Sequence, residues 1–116
     1  MESLTKNKQS IETIKAMTKS ILNKDISSDQ DAVIELKDGW FNVAYRVKLI
    51  DQTEVILKIA PKKDVPVMTY EENMMSREVM FMRKIKALDI PCPEVYGYDD
   101  THTLCDSDYF FMEKLQ

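Results

Sequence analysis

VAYRVKLIDQTEVILKIA, residues 43–60, decides the fold. In its first half Val43, Tyr45, Val47 and Leu49 alternate with Ala44, Arg46 and Lys48, the period of a strand with one apolar face. DQTE is a tight connection, and TEVILKIA beyond it is again extended, so the stretch reads as an antiparallel hairpin. In the second strand Val55, Leu57 and Ile59 share one face, and Ile56, Lys58 and Ala60 share the other. Pro61 ends it by withholding an N–H.

Working outward, Val33 to Leu36 reads as a strand that enters a turn at DGWFN, residues 38–42, where Gly39 accepts a positive φ without cost. KKDVPVMTY is an irregular linker to a helix running from Glu71 to Leu88, about 27 Å long at 1.5 Å per residue. Glu71 and Glu72 suit the positive end of that helix, and Arg83, Lys84 and Lys86 the negative end. Asp89, Pro91 and Pro93 stop it. VYGYDD is a short strand and turn, THTLCDSD a polar loop, and DYFFMEKL a last strand. Residues 5–24 form a further helix, with Ile11, Ile14, Met17, Ile21 and Leu22 on one side. The expected class is α+β: a mostly antiparallel five-stranded sheet, one long packing helix and an extra N-terminal helix. The apolar strand ending at Gln116 lacks a closing element, so a longer parent chain is expected.

Composition narrows function. The chain has 116 residues, which suits one domain, and a net charge of −4. The first 24 residues carry five lysines against two acids, which leaves the remainder at −7. So acidic a sheet domain is a poor footprint for nucleic acid. MESLTKNKQS is not followed by an apolar run, and no stretch reaches eighteen apolar residues, so neither a signal peptide nor a membrane partner is expected. Cys92 and Cys105 fit free thiols and a cytoplasmic setting.

One position breaks the helical pattern. Glu78 lies on the apolar stripe defined by Met75, Met82 and Ile85. A carboxylate there either finds a cation or extends its head to water. Lys58 is the matching anomaly, a cation in an otherwise apolar strand. Two readings follow. The two meet as an ion pair that aims an ammonium at an anion, a use in which geometry matters more than stability. Otherwise each is a separate surface residue, Lys58 guarding an edge strand, and the chain is a small non-enzymatic interaction module.

No residues form a catalytic set or a metal-ligand spacing. His102 in THTLCD reads as an exposed loop histidine, and the carboxylates at 99, 100, 106 and 108 read as a solvated edge. Cys92, between two prolines, has no histidine near it in sequence.

The ordered segments DGWFNVAYRV (38–47), VILKIAP (55–61), SREVMFMRKI (76–85), IPCPEVYGYD (90–99) and YFFMEKL (109–115) together resemble the N-terminal lobe of the aminoglycoside phosphotransferase and choline kinase family, which has a protein-kinase-like fold. The resemblance implies a nucleotide-binding lobe over 33–116, with 5–24 as a helical extension. It implies that Lys58 contacts the α- and β-phosphates of ATP or GTP and that Glu78 holds Lys58. The loop of Gly39, Trp40, Phe41 and Asn42 would cover the phosphates. With one glycine and a bulky Trp40, this loop departs from the glycine-rich pattern of protein kinases. Asn42 is suited to bracing the turn through backbone bonds, and Trp40 equally to resting on the sheet. Ile56 would roof the adenine, Met112 would stand at the back of its pocket, and the Glu113 carbonyl and Leu115 amide would meet the purine edge.

The family's H-G-D…N segment and its later metal-binding aspartate are missing from these residues. The resemblance therefore places the catalytic groups, the Mg2+ ligands and most of the site for a small-molecule acceptor, with aminoglycoside the first expectation, in a C-terminal lobe outside this sequence. These 116 residues are not expected to catalyse transfer alone, and surface meant for the second lobe would favour self-association.

Overall fold

A computed structural model of the chain describes residues 9–36, 43–60, 74–105 and 107–114. Seven elements follow one another: α1 (Ile11–Leu22), β1 (Val33–Leu36), β2 (Val43–Lys48), β3 (Glu54–Ile59), α2 (Met74–Ala87), β4 (Val95–Asp99) and β5 (Tyr109–Glu113). The strands form one antiparallel sheet in the order β1-β2-β3-β5-β4. This is the fold class expected from the sequence.

The β2–β3 hairpin has the alternation its sequence dictates, with Val43 opposite Ile59 and Val47 opposite Val55. Its loop is closed by a bond from the Gln52 amide to the Leu49 carbonyl, 2.8 Å, and Gln52 sits at φ 72°. That is a three-residue hairpin connection with its last residue left-handed. The Asp51 carboxylate accepts the Thr53 amide at 3.0 Å and the Lys24 ammonium at 2.9 Å, so the loop is also tied to the end of α1.

Each face of the sheet carries a helix. On one face Val43, Tyr45, Val47, Val55, Leu57, Ile59, Tyr109 and Phe111 form the larger core with Ile14 and Met17 of α1. The Tyr109 and Phe111 rings meet edge to face at 6.4 Å. On the other face Phe110 and Ala60 pack with Met75 and Val79 of α2, flanked by Met82, Val95, Tyr98 and Met112.

Both helices are shorter than the sequence reading. Ser10 caps α1, its hydroxyl accepting the Thr13 amide at 3.2 Å, so residues 9 and 10 lie before the helix. Asn23, left-handed at φ 56°, ends it through its amide to the Lys19 carbonyl. Helix α2 closes in a Schellman arrangement. Asp89 is left-handed at φ 64°, its amide bonds Lys86, and the Ile90 amide bonds Ile85. Leu88 thus belongs to the turn, not to the helix. Residues 5–8 and 71–73, which the sequence reading includes in the helices, lie outside the described residues.

Gly97 explains how α1 reaches the sheet edge. A Cβ built there would stand 2.5 Å from Cγ2 of Ile21. The β4–β5 register shifts between Val95 and Gly97, a bulge at the same point. Cys92 and Cys105 are free thiols. Among the described residues no helix is long and apolar enough to cross a membrane.

Candidate functional site

Strand alternation puts Lys58 on the α2 side of the sheet, because Leu57 and Ile59 take the α1 side. Its cross-strand neighbours are Ala44 on β2 and Phe110 on β5. Helix α2 anchors itself through Met75 and Val79, both fully buried, and Glu78 projects beside them. The Lys58 Nζ donates to Glu78 Oε2 at 3.0 Å. The same ammonium stands 6.0 Å from the centroid of the buried Phe110 ring, at the outer reach of a cation–π contact.

The pair is not sealed in. The Lys58 side chain keeps 28% of its exposure and that of Glu78 35%. Water therefore shares the charges, and the desolvation cost falls well below that of a fully buried pair. The ammonium is held in direction by Glu78 and remains partly exposed.

Beside Lys58, Ile56 is almost fully buried and faces Arg46 and Met112 across the strands. Ala44, Ile56 and Met112 thus make an apolar floor on the Lys58 side of the sheet. Met112 is half-buried at its edge. Glu113 ends β5, where its amide donates to the Glu94 carbonyl at 2.8 Å and its carboxylate accepts the Glu94 amide at 3.3 Å. Of the expected site residues the structure brings Lys58, Glu78, Ile56 and Met112 onto one side of the sheet, while Glu113, opposite Val55, ends β5 on the alternate face. Gly39, Trp40, Phe41, Asn42 and Leu115 lie outside the described residues.

Two side-chain networks escape the sequence reading. Glu54 accepts Arg46 Nη1 at 3.0 Å and stands 3.5 Å from the Lys114 ammonium, which ties β2, β3 and the end of β5 together. Arg46 also donates to the Asp31 carbonyl. In the β4–β5 loop, Asp108 accepts the Tyr98 hydroxyl and meets His102 Nε2, each at 2.7 Å. Asp99 accepts the Tyr109 hydroxyl at 3.0 Å and both the amide and hydroxyl of Thr101 at 2.7 Å.

His102 is accordingly half-buried and bonded, where the sequence suggests an exposed residue. The acids at 99 and 108 act as hydrogen-bond hubs, not as a solvated edge. Burial opposes the charge on Asp99, but the Thr101 and Tyr109 donors outweigh it and hold its carboxyl below the usual range. Burial, then the adjoining carboxylate, pushes the Tyr98 and Tyr109 hydroxyls well above theirs. The i, i+10 pairing of Tyr98 with Asp108 and Asp99 with Tyr109 is the signal, and it is visible only once the hairpin register is known. Among the described residues no three His, Cys, Asp or Glu side chains gather as a metal site.

The sequence model of the phosphotransferase enzyme family matches residues 32–116. The chain belongs to this family. The match begins just before β1 and takes in the whole sheet and α2, leaving α1 ahead of it. Among solved structures, one similar fold is a protein from Thermobifida fusca YX-ER1 assigned as a fructosamine-3-kinase. It is 21% identical with a TM-score of 0.67, over 92% of this chain and 32% of that one. Another is a protein from Ralstonia eutropha JMP134 assigned as an aminoglycoside phosphotransferase. It is 11% identical with a TM-score of 0.59, over 92% of this chain and 28% of that one. At these identities the likeness is one of fold. The chain spans about a third or less of the length of these family-like structures. No curated protein matches it.

Proposed function

We propose that residues 33–116 are the nucleotide-binding N-terminal lobe of a small-molecule phosphotransferase, with 5–24 as a helical extension. The observation that carries this reading is the 3.0 Å contact between Lys58 and Glu78 inside a segment that belongs to the phosphotransferase family. Lys58 offers its ammonium to the α- and β-phosphates of ATP or GTP. Glu78 fixes its direction, so less side-chain entropy is lost when the phosphates arrive. Ala44, Ile56 and Met112 give the purine an apolar surface, and backbone groups of Glu113 and Leu115 meet its edge. Residues 39–42 lie over the phosphates.

The residues present suit the charged tail of a nucleotide. Among the described residues no carboxylates gather as a Mg2+ site, which needs carboxylate oxygens grouped in space. Magnesium, when bound, neutralises charge on the transferred phosphoryl group. Its ligands and the group that orients the acceptor belong to a C-terminal lobe in this reading. The whole enzyme moves the γ-phosphoryl group of the nucleotide to a hydroxyl, releasing the diphosphate. An aminoglycoside is the first acceptor class to test, and cytoplasmic action and a part in antibiotic resistance go with that choice.

Phe81 of α2 (63%) and Leu88 in the turn that follows it (71%) are exposed. Surface of this kind supports a missing covering lobe, or self-association of the lobe alone. The 116 residues by themselves are expected to lack phosphotransfer activity. The test is titration of the full-length gene product with Mg·ATP and Mg·GTP beside its Lys58→Ala variant. Saturable binding that the variant loses supports the reading, and equal binding by both proteins contradicts it.

A further inference from the structure

The surface that carries Ile56 continues past it. Antiparallel partners share one face of a sheet, so a row runs from Ile34 of β1 through Arg46 of β2 and Ile56 of β3 to Met112 of β5. The row lies on the α2 side, because the alternate residues Val33, Val47, Val55 and Phe111 pack on the α1 side. Lys58 stands in the neighbouring row, two residues along β3, or about 7 Å. Arg46 is the single cation in a row that is otherwise apolar.

Its side chain is held from two directions. Nη1 donates to Glu54 Oε2 at 3.0 Å, and Nη2 donates to the Asp31 carbonyl. Glu54 is steadied in turn by the Lys114 ammonium at 3.5 Å, just past the end of β5. Contacts at two nitrogens, from different parts of the chain, fix the plane of the guanidinium. The side chain keeps 15% of its exposure. Its Nε is buried and has no hydrogen-bond partner among the described residues. A donor left over in this way carries a cost that pairing with Glu54 does not remove.

The row has the width for a base. Neighbouring strands lie about 4.8 Å apart, and a purine is broader than that. A base resting on Ile56 therefore also covers a side chain of the next strand. On the β5 side that residue is Met112. On the β2 side it is Arg46, and beyond it Ile34, which is 40% exposed. A planar guanidinium stacks on an aromatic face, whereas a lysine ammonium has no plane to offer.

We propose that Arg46 is a nucleobase-contact residue whose guanidinium stacks on the purine that rests on Ile56, and that Glu54 is a positioning residue that keeps the guanidinium in its plane. This rests on the reading of the lobe as a nucleotide site. Lys58 and Arg46 then serve opposite ends of one ligand, the phosphates and the base. Stacking of this kind does not read the exocyclic groups of the base, so Mg·ATP and Mg·GTP share the contact.

The test measures the affinity of the full-length gene product for Mg·ATP, Mg·GTP and magnesium tripolyphosphate, which has the phosphates without the base. Arg46→Lys keeps the charge beside Glu54 and removes the plane. It is expected to weaken both nucleotides about fivefold and tripolyphosphate by less than about twofold. Arg46→Met and Glu54→Gln should also weaken the nucleotides more than tripolyphosphate. Native nucleotide affinity in Arg46→Lys overturns the proposal, because lysine satisfies a role in charge or folding. An equal fold-loss for nucleotide and tripolyphosphate overturns it as well. With isotope-labelled arginine, nuclear Overhauser contacts from the base protons of bound Mg·ATP to the Arg46 side chain are expected. Their absence contradicts the stack whatever the affinities. Lys58→Ala separates the two levels. If it weakens all three ligands while Arg46→Lys changes none, the stacking role is wrong and the nucleotide reading stands. If it leaves all three affinities intact, the nucleotide reading fails and the proposal falls with it.

Discussion

The Lys58 ammonium of β3 lies 3.0 Å from the Glu78 carboxylate of α2, and both side chains remain partly in water. A pair of this exposure adds little to stability, about 1 kcal/mol at most. Its value lies in direction. Glu78→Gln is expected to change the unfolding free energy by less than about 1 kcal/mol, while weakening Mg·ATP binding several-fold. Denaturant unfolding and calorimetry on the same variant check both. A large loss of stability with unchanged binding would show the pair to be structural.

Gly97 and Ile21 make a second close relationship, with room for hydrogen alone. Ile21 is β-branched and stiff at χ1, so it cannot swing its methyl away freely. Gly97→Ala should destabilise the fold by about 1–3 kcal/mol, seen as a lower urea midpoint at unchanged slope. Pairing with Ile21→Ala should restore part of the loss from Gly97→Ala, since the small side chain clears the clash. No recovery in the double variant would place the strain elsewhere.

Tyr98 and Tyr109 carry protons that the fold retains. Burial first, then the carboxylates of Asp108 and Asp99, raise both hydroxyls well above the ordinary value of 10. The unfolded chain therefore deprotonates first. The stability these groups contribute is fully present below about pH 10 and is lost as pH rises above it. Absorbance titration near 295 nm should show part of the five tyrosines ionising only as the fold is lost. Simultaneous ionisation of all five near pH 10, with far-ultraviolet circular dichroism intact, would contradict this.

Asp51 acts at the acid end. The hydrogen bond from Lys24, followed by that from the Thr53 amide, lowers its carboxyl from 3.8 to about 2. Its contribution is present above pH 3.8 and disappears as pH falls toward 2. Asp51→Asn should flatten the acid decline of the unfolding midpoint over that interval. An unchanged acid profile would mean that the loop contact is not kept in solution.

The fold was legible because period and chemistry agree. Alternation in residues 43–60 gives the hairpin at once, and Glu78 and Lys58 stand out as matching anomalies, with an ion pair and two separate surface residues both open until coordinates place them together. The placement of α1 on the opposite face was less legible, since its apolar side says what it buries but not against which sheet surface. Helix ends moved by a few residues because Ser10, Asn23 and Asp89 set them through single backbone bonds that no periodicity carries. The Tyr98–Asp108 and Asp99–Tyr109 bonds were hidden for a different reason. They depend on hairpin register, and a one-residue slip would exchange the two pairings' faces. Acids in a polar loop look alike in sequence whether they are solvated or bonded.

Nucleotide titration of the full-length gene product against its Lys58→Ala variant tests the central claim most directly. The account expects saturable Mg·ATP or Mg·GTP binding that weakens about tenfold or more when the ammonium is removed, the scale of a lost charge-assisted contact. Equal affinity in the native and Lys58→Ala proteins would contradict it.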